Sequence, residues 1–173
     1  MNTLTKQPVE SLNWPMIVVL TLSFWLSASL VIDLVVIPGL FASGMMQEAG
    51  FLVAGYFIFG VFNHLELLCA ALILSGFLFF YRSHHFSATK EGWAIFLAVL
   101  LLAIALTDTY GLTPALSSFG FEMNLFNGNP TMPSGMMTMH GFYWSLELLK
   151  LLLGATLLRW CYHDVLLGEN GIE

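Results

Sequence analysis

Residues 15–41 read PMIVVLTLSFWLSASLVIDLVVIPGLF, and this stretch decides the fold. A helix that crosses a bilayer needs about 20 mostly apolar residues, because each residue rises ~1.5 Å through a hydrocarbon core ~30 Å thick. Asn13 suits an N-cap and Pro15 a first helical turn, so the helix start is marked. Asp33 is the one charge in the run, and Pro38-Gly39 lies near its end. The run is far longer than the apolar region of a signal peptide and has no basic approach beyond Lys6, so it is expected to remain as a span.

Three further tracts follow. The second runs from about Gly50 to Tyr81, too long for one straight untilted crossing, with its membrane part at 57–80. The third is expected over 93–112, introduced by Lys90-Glu91-Gly92 and stopped before Pro114. The fourth is expected over 137–160. Trp14, Trp93, Trp160 and Tyr81 fall at the proposed boundaries, where amphipathic rings prefer to sit. The segment from Pro114 to Ser134 combines Gly, Asn and Pro with Leu116, Phe119, Phe121, Leu125 and Phe126, and reads as an ordered outer loop folded onto the membrane surface. The fold class is therefore all-α: one integral-membrane four-helix bundle.

Composition agrees. Of 173 residues, 58% are hydrophobic and 9% charged, against about 25% charged in soluble domains. A lipid bilayer is thus the first partner. The formal charge of −6 offers no basic face for nucleic acid. Cys69 and Cys161 lie inside apolar runs and form no CxxC motif, so they read as small buried hydrophobes. Arg82, Lys90, His84 and His85 occupy the 2–3 connection, Lys6 the N-terminal tail and Arg159 the end of the fourth span, whereas the 1–2 and 3–4 connections hold no Lys or Arg. The positive-inside bias then puts both termini in the cytoplasm.

Ionisable groups within a span are costly and mark candidate sites. Here they are Asp33, Glu66, Asp108, Glu147 and Lys150, joined by His64, His140 and Asn63. With helices 1 and 3 running outward and 2 and 4 inward, all but Lys150 of the charged and histidine positions fall in the outer half of the bundle. At 3.6 residues per turn, His140, Trp144 and Glu147 share a face, Lys150 reaches Glu147 at i+3, Asn63 shares a face with Glu66, and His64 points away from Glu66. A buried Glu147–Lys150 pair that fixes packing is the plainer reading of those two residues. Residues 63–68 (NHLELL) echo 144–149 (WSLELL), as a parallel repeat of helix pairs or as a coincidence of Leu-rich sequence.

Seven methionines, Met45, Met46, Met123, Met132, Met136, Met137 and Met139, lie in or beside the two outer connections. Thioether and imidazole suit copper, so Met136, Met137, Met139 and His140, with His64 further in, form a candidate metal set. The alternative is that these methionines are flexible filler.

Phe24-Trp25-Leu26 through Asp33 to Pro38, followed by Phe62-Asn63-His64-Leu65-Glu66, resembles a group of small four-helix bacterial membrane proteins distantly similar to the copper-resistance D proteins. The resemblance implies a four-helix bundle, copper handling and a bacterial inner (plasma) membrane. Three functions stand as expectations. One is a non-enzymatic protein that binds or passes a soft metal ion such as copper. A second is a b-type haem protein with His64 and His140 as axial ligands. The third is a small accessory or assembly subunit that contacts other membrane-protein subunits. No nucleophile–base–orienter set and no phosphate loop is visible, so an enzyme is not expected.

Overall fold

The computed structural model describes residues 13–45, 50–83, 88–118 and 134–163, and among them it is built of helices. Helix α1 covers Trp14–Ala42, α2 Phe51–Ser83, α3 residues 88–118 and α4 Ser134–Cys161. Each contains a stretch long and apolar enough to cross a membrane: Trp14–Ala42, Val53–Phe79, Gly92–Ser118 and Met137–Cys161. The chain is therefore a multi-pass integral membrane protein. Asn13 does cap α1, its side chain accepting from the Met16 N–H at 3.3 Å.

Two helices depart from the regular ladder within their spans. In α1 the segment Ile32–Val36 is a π turn, closed by the Ile37 N–H on the Ile32 carbonyl. In α3 the segment Asp108–Leu112 is another, closed by the Thr113 N–H on the Asp108 carbonyl. In both, the residue donating the wide bond directly precedes a proline, Pro38 or Pro114. A proline nitrogen has no hydrogen to donate, so the ladder is interrupted there in any case. The π turn takes up that interruption and the helix continues. This changes the third span: the expected end at Leu112 is not seen, and residues 113–118 continue as helix past Pro114. Only that first part of the expected 3–4 loop is described, and it is helical; residues 119–133 lie outside the described residues, with Met123 and Met132 among them.

The helices pack as a four-membered ring. Helix α1 touches α2 and α4, and α3 touches the same two. Near the end where α1 begins, the centre is apolar: Val18, Leu22 and Trp25 meet Cys69, Ala70, Ile73 and Phe77, with Ala94, Ala98, Leu101 and Ala105 opposite and Leu157 and Cys161 closing the ring. Small residues let the backbones approach, as membrane helix contacts require. Gly76 lies so close to Val18 that a Cβ would overlap the valine methyl, and Gly154 sits under Leu26. Both cysteines are buried free thiols. Large apolar side chains such as Leu34, Phe57, Trp93 and Leu148 cover the outside, where lipid can solvate them.

Candidate functional site

Each helix buries one stripe at alternating steps of three and four residues, and toward the far end these stripes turn polar. On α1 the stripe is Val18, Leu22, Trp25, Ser29 and Asp33; on α4 it is Glu147, Lys150, Gly154, Leu157 and Cys161. The five charged residues are almost completely enclosed: Asp33 is 4% exposed, Glu66 1%, Asp108 1%, Glu147 2% and Lys150 3%.

Glu66 is the best-partnered carboxylate. Its Oε1 accepts from Trp25 Nε1 at 2.9 Å, from Ser29 Oγ at 3.1 Å and from Lys150 Nζ at 2.6 Å. Three donors on one oxygen, one of them cationic, stabilise the anion. Lys150 reaches Glu66 across the centre of the ring, from α4 to α2. It also forms an ion pair with Glu147 Oε2 on its own helix at 2.6 Å. The i+3 pair expected from the sequence is thus present, but it is half of a three-member bridge. Trp25 and Ser29 do not figure in the sequence-based site; their spacing of four and eight residues before Asp33 was the available signal.

The other two acids are differently placed. Neither carboxyl oxygen of Asp33 or of Asp108 has a hydrogen-bond donor among the described residues. Asp33 and Asp108 lie within electrostatic reach of Lys150 and Glu66, and Asp33 of Glu147 as well. Tyr143, half-buried on α4, lies within electrostatic reach of all four acids. Beside the π turn of α3, Asn63 Nδ2 donates to Thr113 Oγ1 at 2.5 Å, and Thr109 Oγ1 approaches the Asn63 carbonyl at 3.4 Å.

His64, Met45 and Met137 are exposed, unlike the members of this cluster. His64 is exposed, as its phase against Glu66 implies; its Nδ1 is 2.7 Å from the Gly60 carbonyl and its ring meets Tyr110 edge-on at 6.2 Å. His140 and Trp144 are exposed although Glu147 is buried, so the expected common face is not turned inward as a unit. The inward stripe of α4 continues from Glu147 to Tyr143 and Met139, both half-buried, while Met137 is exposed. Met136 is in the first turn of the same helix, and Met45 is exposed at the far end of α1. Among the described residues no three of His, Cys, Asp and Glu come together in a way that could hold a metal ion.

The echo seen in the sequence extends further once these positions are known. Gly60-Val61-Phe62-Asn63-His64-Leu65-Glu66-Leu67-Leu68 and Gly141-Phe142-Tyr143-Trp144-Ser145-Leu146-Glu147-Leu148-Leu149 share the glycine, an aromatic two places on and Leu-Glu-Leu-Leu. Pro38-x-Leu40-x-x-x-Gly44 matches Pro114-x-Leu116-x-x-x-Gly120. Each helix pair therefore supplies an Asp in a π turn ahead of a proline and a Glu on the returning helix. Lys150 breaks the match, standing where the first pair has Cys69.

Fold and site together define a four-helix membrane protein with a charge cluster enclosed in one half of its bundle. The chain matches no protein-family model, no curated protein and no solved structure.

Proposed function

We propose that this protein binds a cation, and lets it pass, at the cluster formed by Asp33, Glu66, Asp108, Glu147 and Lys150. The observation that carries the reading is the pair of enclosed aspartates with no donor among the described residues. Buried carboxylates without donors are strongly disfavoured, and in a membrane protein an ionisable residue facing the bundle interior marks an ion or substrate path. Four acids around one lysine leave an excess of negative charge that a visiting cation offsets. The distribution of Lys and Arg supports cytoplasmic termini, which puts the cluster toward the outer face, and the resemblance of the first two spans supports a bacterial inner membrane. No covalent change of a substrate is part of the proposal.

Purified protein reconstituted into lipid vesicles tests it. Wild type should support cation flux from a panel of protons, potassium and Cu(I). Asp108→Asn, which removes the charge but keeps the shape, should lower that flux by roughly tenfold or more, as expected for loss of one charge-bearing contact. Equal flux in wild type, Asp108→Asn and protein-free vesicles would remove the cluster as a cation site.

A soft-metal reading rests on a separate observation. The first two turns of α4 carry Met136, Met137, Met139 and His140, and Met139 is in line with Tyr143 and Glu147 on the inward stripe. Thioethers favour Cu(I), so this end would receive the metal above an all-oxygen cluster. Cu(I) affinity should fall sharply when Met136, Met137 and Met139 become Leu together, a change that roughly conserves volume. Unchanged affinity in the folded triple variant counts against copper and leaves the carboxylate cluster untouched.

A further inference from the structure

Resting on the cation-site reading, we infer that the cation held by the cluster is the proton, with at least two protons bound among Asp33, Asp108 and Glu147.

The charge count comes first. Asp33, Glu66, Asp108 and Glu147 are four acids and Lys150 is one base, all enclosed. Fully ionised, the group would carry three negative charges in excess (four minus one). Lys150 and the hydrogen bonds from Trp25 and Ser29 account for the charge on Glu66. Asp33, Asp108 and Glu147 remain, and among the described residues the only cation near them is the Lys150 that Glu66 already engages. Uncompensated charge at this depth is too costly to persist.

Geometry then selects the compensating species. Asp33 and Glu147 are enclosed carboxyl groups of one cluster, and neither Asp33 oxygen has a donor among the described residues. Carboxylates gathered out of water repel, and a proton bound on one of them removes that repulsion. Asp108 is equally enclosed and has no donor on either oxygen among the described residues. A metal ion would ask for several ligands converging on one point, and among the described residues that convergence is not found. Tyr143, on α4 between the cluster and Met139, and the buried thiol of Cys69, on α2 beside Glu66, are further titratable neighbours. Asp33 and Asp108 each sit in a π turn, a helix defect frequently located at functional sites. The two protonatable acids thus ride on the two irregular turns, one in each repeated helix pair.

Infrared spectroscopy of the full chain in lipid at neutral pH reads this without any assay of transport. Wild type should show absorption from undissociated carboxyl groups, and Asp33→Asn and Asp108→Asn should each remove a different part of it. Glu147→Gln, at the third acid without a full set of partners, should also change it. In vesicles, inward proton flux under an imposed potential should fall by about tenfold or more in Asp108→Asn, because an amide cannot take up and release a proton there. A wild-type spectrum with ionised carboxylates only, together with a stoichiometric bound metal ion, would overturn the proton assignment while keeping the cation site. Undissociated carboxyl bands that none of the three substitutions changes would also overturn it. If wild type and Asp108→Asn carry every cation equally, the cation-site reading itself fails.

Discussion

The same four helices enclose two unlike interiors. Where α1 begins, they meet over alanines, glycines, cysteines and close-packed Leu, Ile and Phe. Toward the other end they meet over four acids, a lysine, a tryptophan N–H and a set of hydroxyls. In water the first interior would hold the bundle together and the second would weaken it. In lipid the difference is smaller, because hydrocarbon outside a helix is as apolar as a leucine inside it. Close backbone approach then supplies the contact energy at the apolar end, and charge-assisted bonds supply it at the polar end. The polar end also has two π turns, each carrying one of the aspartates. We read the apolar half as the part that fixes the ring and the polar half as the part that changes charge within it.

The largest effect should come from the residue that joins the two carboxylates. Lys150→Met leaves Glu66 and Glu147 enclosed without their cation and should destabilise the protein by about 3–5 kcal/mol. Adding Glu66→Leu to that variant should recover much of the loss, and adding Glu147→Leu should recover less, since Glu66 holds the tighter set of contacts. Unfolding in denaturing detergent, followed by circular dichroism, measures all three. If Lys150→Met unfolds like wild type, the polar end does not contribute to stability and the contrast fails.

Next in size is Trp25, which lies at the junction of the two interiors, packed in the apolar core and bonded to Glu66. Trp25→Phe keeps most of the ring and removes the N–H donor. A hydrogen bond to a charged group is worth about 1.5–3 kcal/mol, and the lower part of that range is expected because Ser29 and Lys150 remain. In the Lys150→Met, Glu66→Leu background the same substitution should cost clearly less. An equal cost in both backgrounds would assign Trp25 to packing alone.

The apolar end offers a comparable test by overpacking. Gly76→Ala drives a methyl into the β-branched side chain of Val18, whose rotamer is stiff, and should cost about 1–3 kcal/mol. Gly154→Ala meets the tip of Leu26 at 2.9 Å. That tip can rotate aside, so this variant should unfold closer to wild type. Similar losses in the two would mean that helix approach at Gly76 is no tighter than at Gly154.

The sequence made these interiors legible unevenly. Four apolar tracts and their polar interruptions follow from the thickness of the bilayer, and Asp33, Glu66, Asp108, Glu147 and Lys150 stand out because each is expensive in a span. The i+3 contact of Glu147 with Lys150 follows from helix geometry alone. The bridge from Lys150 to Glu66 does not, since 84 residues separate them and no local rule fixes which helices are diagonal. The π turns left no residue signature of their own; Pro38 and Pro114 read as helix ends because an ordinary ladder stops there. The phase of α4 shows the limit most clearly. His140, Trp144 and Glu147 share a broad stripe, but a stripe has width. The buried line runs through Glu147, Tyr143 and Met139, and His140 falls on its exposed flank.

The smallest expected effect concerns the hydroxyl and amide contacts beside the α3 π turn. Asn63 Nδ2 donates to Thr113 Oγ1 at 2.5 Å, and in a soluble core a short, enclosed bond of this kind would weigh heavily. In a membrane the unfolded helices also find polar partners, so such bonds average only about 0.6 kcal/mol. Thr113→Val, which keeps the shape, should therefore shift unfolding by about that amount, several-fold less than Lys150→Met. Asn63→Leu removes the amide donor of the same contact and should be similar once its change in volume is allowed for. The double variant should cost no more than the larger single one, because both substitutions delete the same bond. Additive losses would show that Asn63 and Thr113 act separately, Asn63 through its backbone approach to Thr109 and Thr113 through the π turn. The polar end would then depend on that turn as well as on its charges.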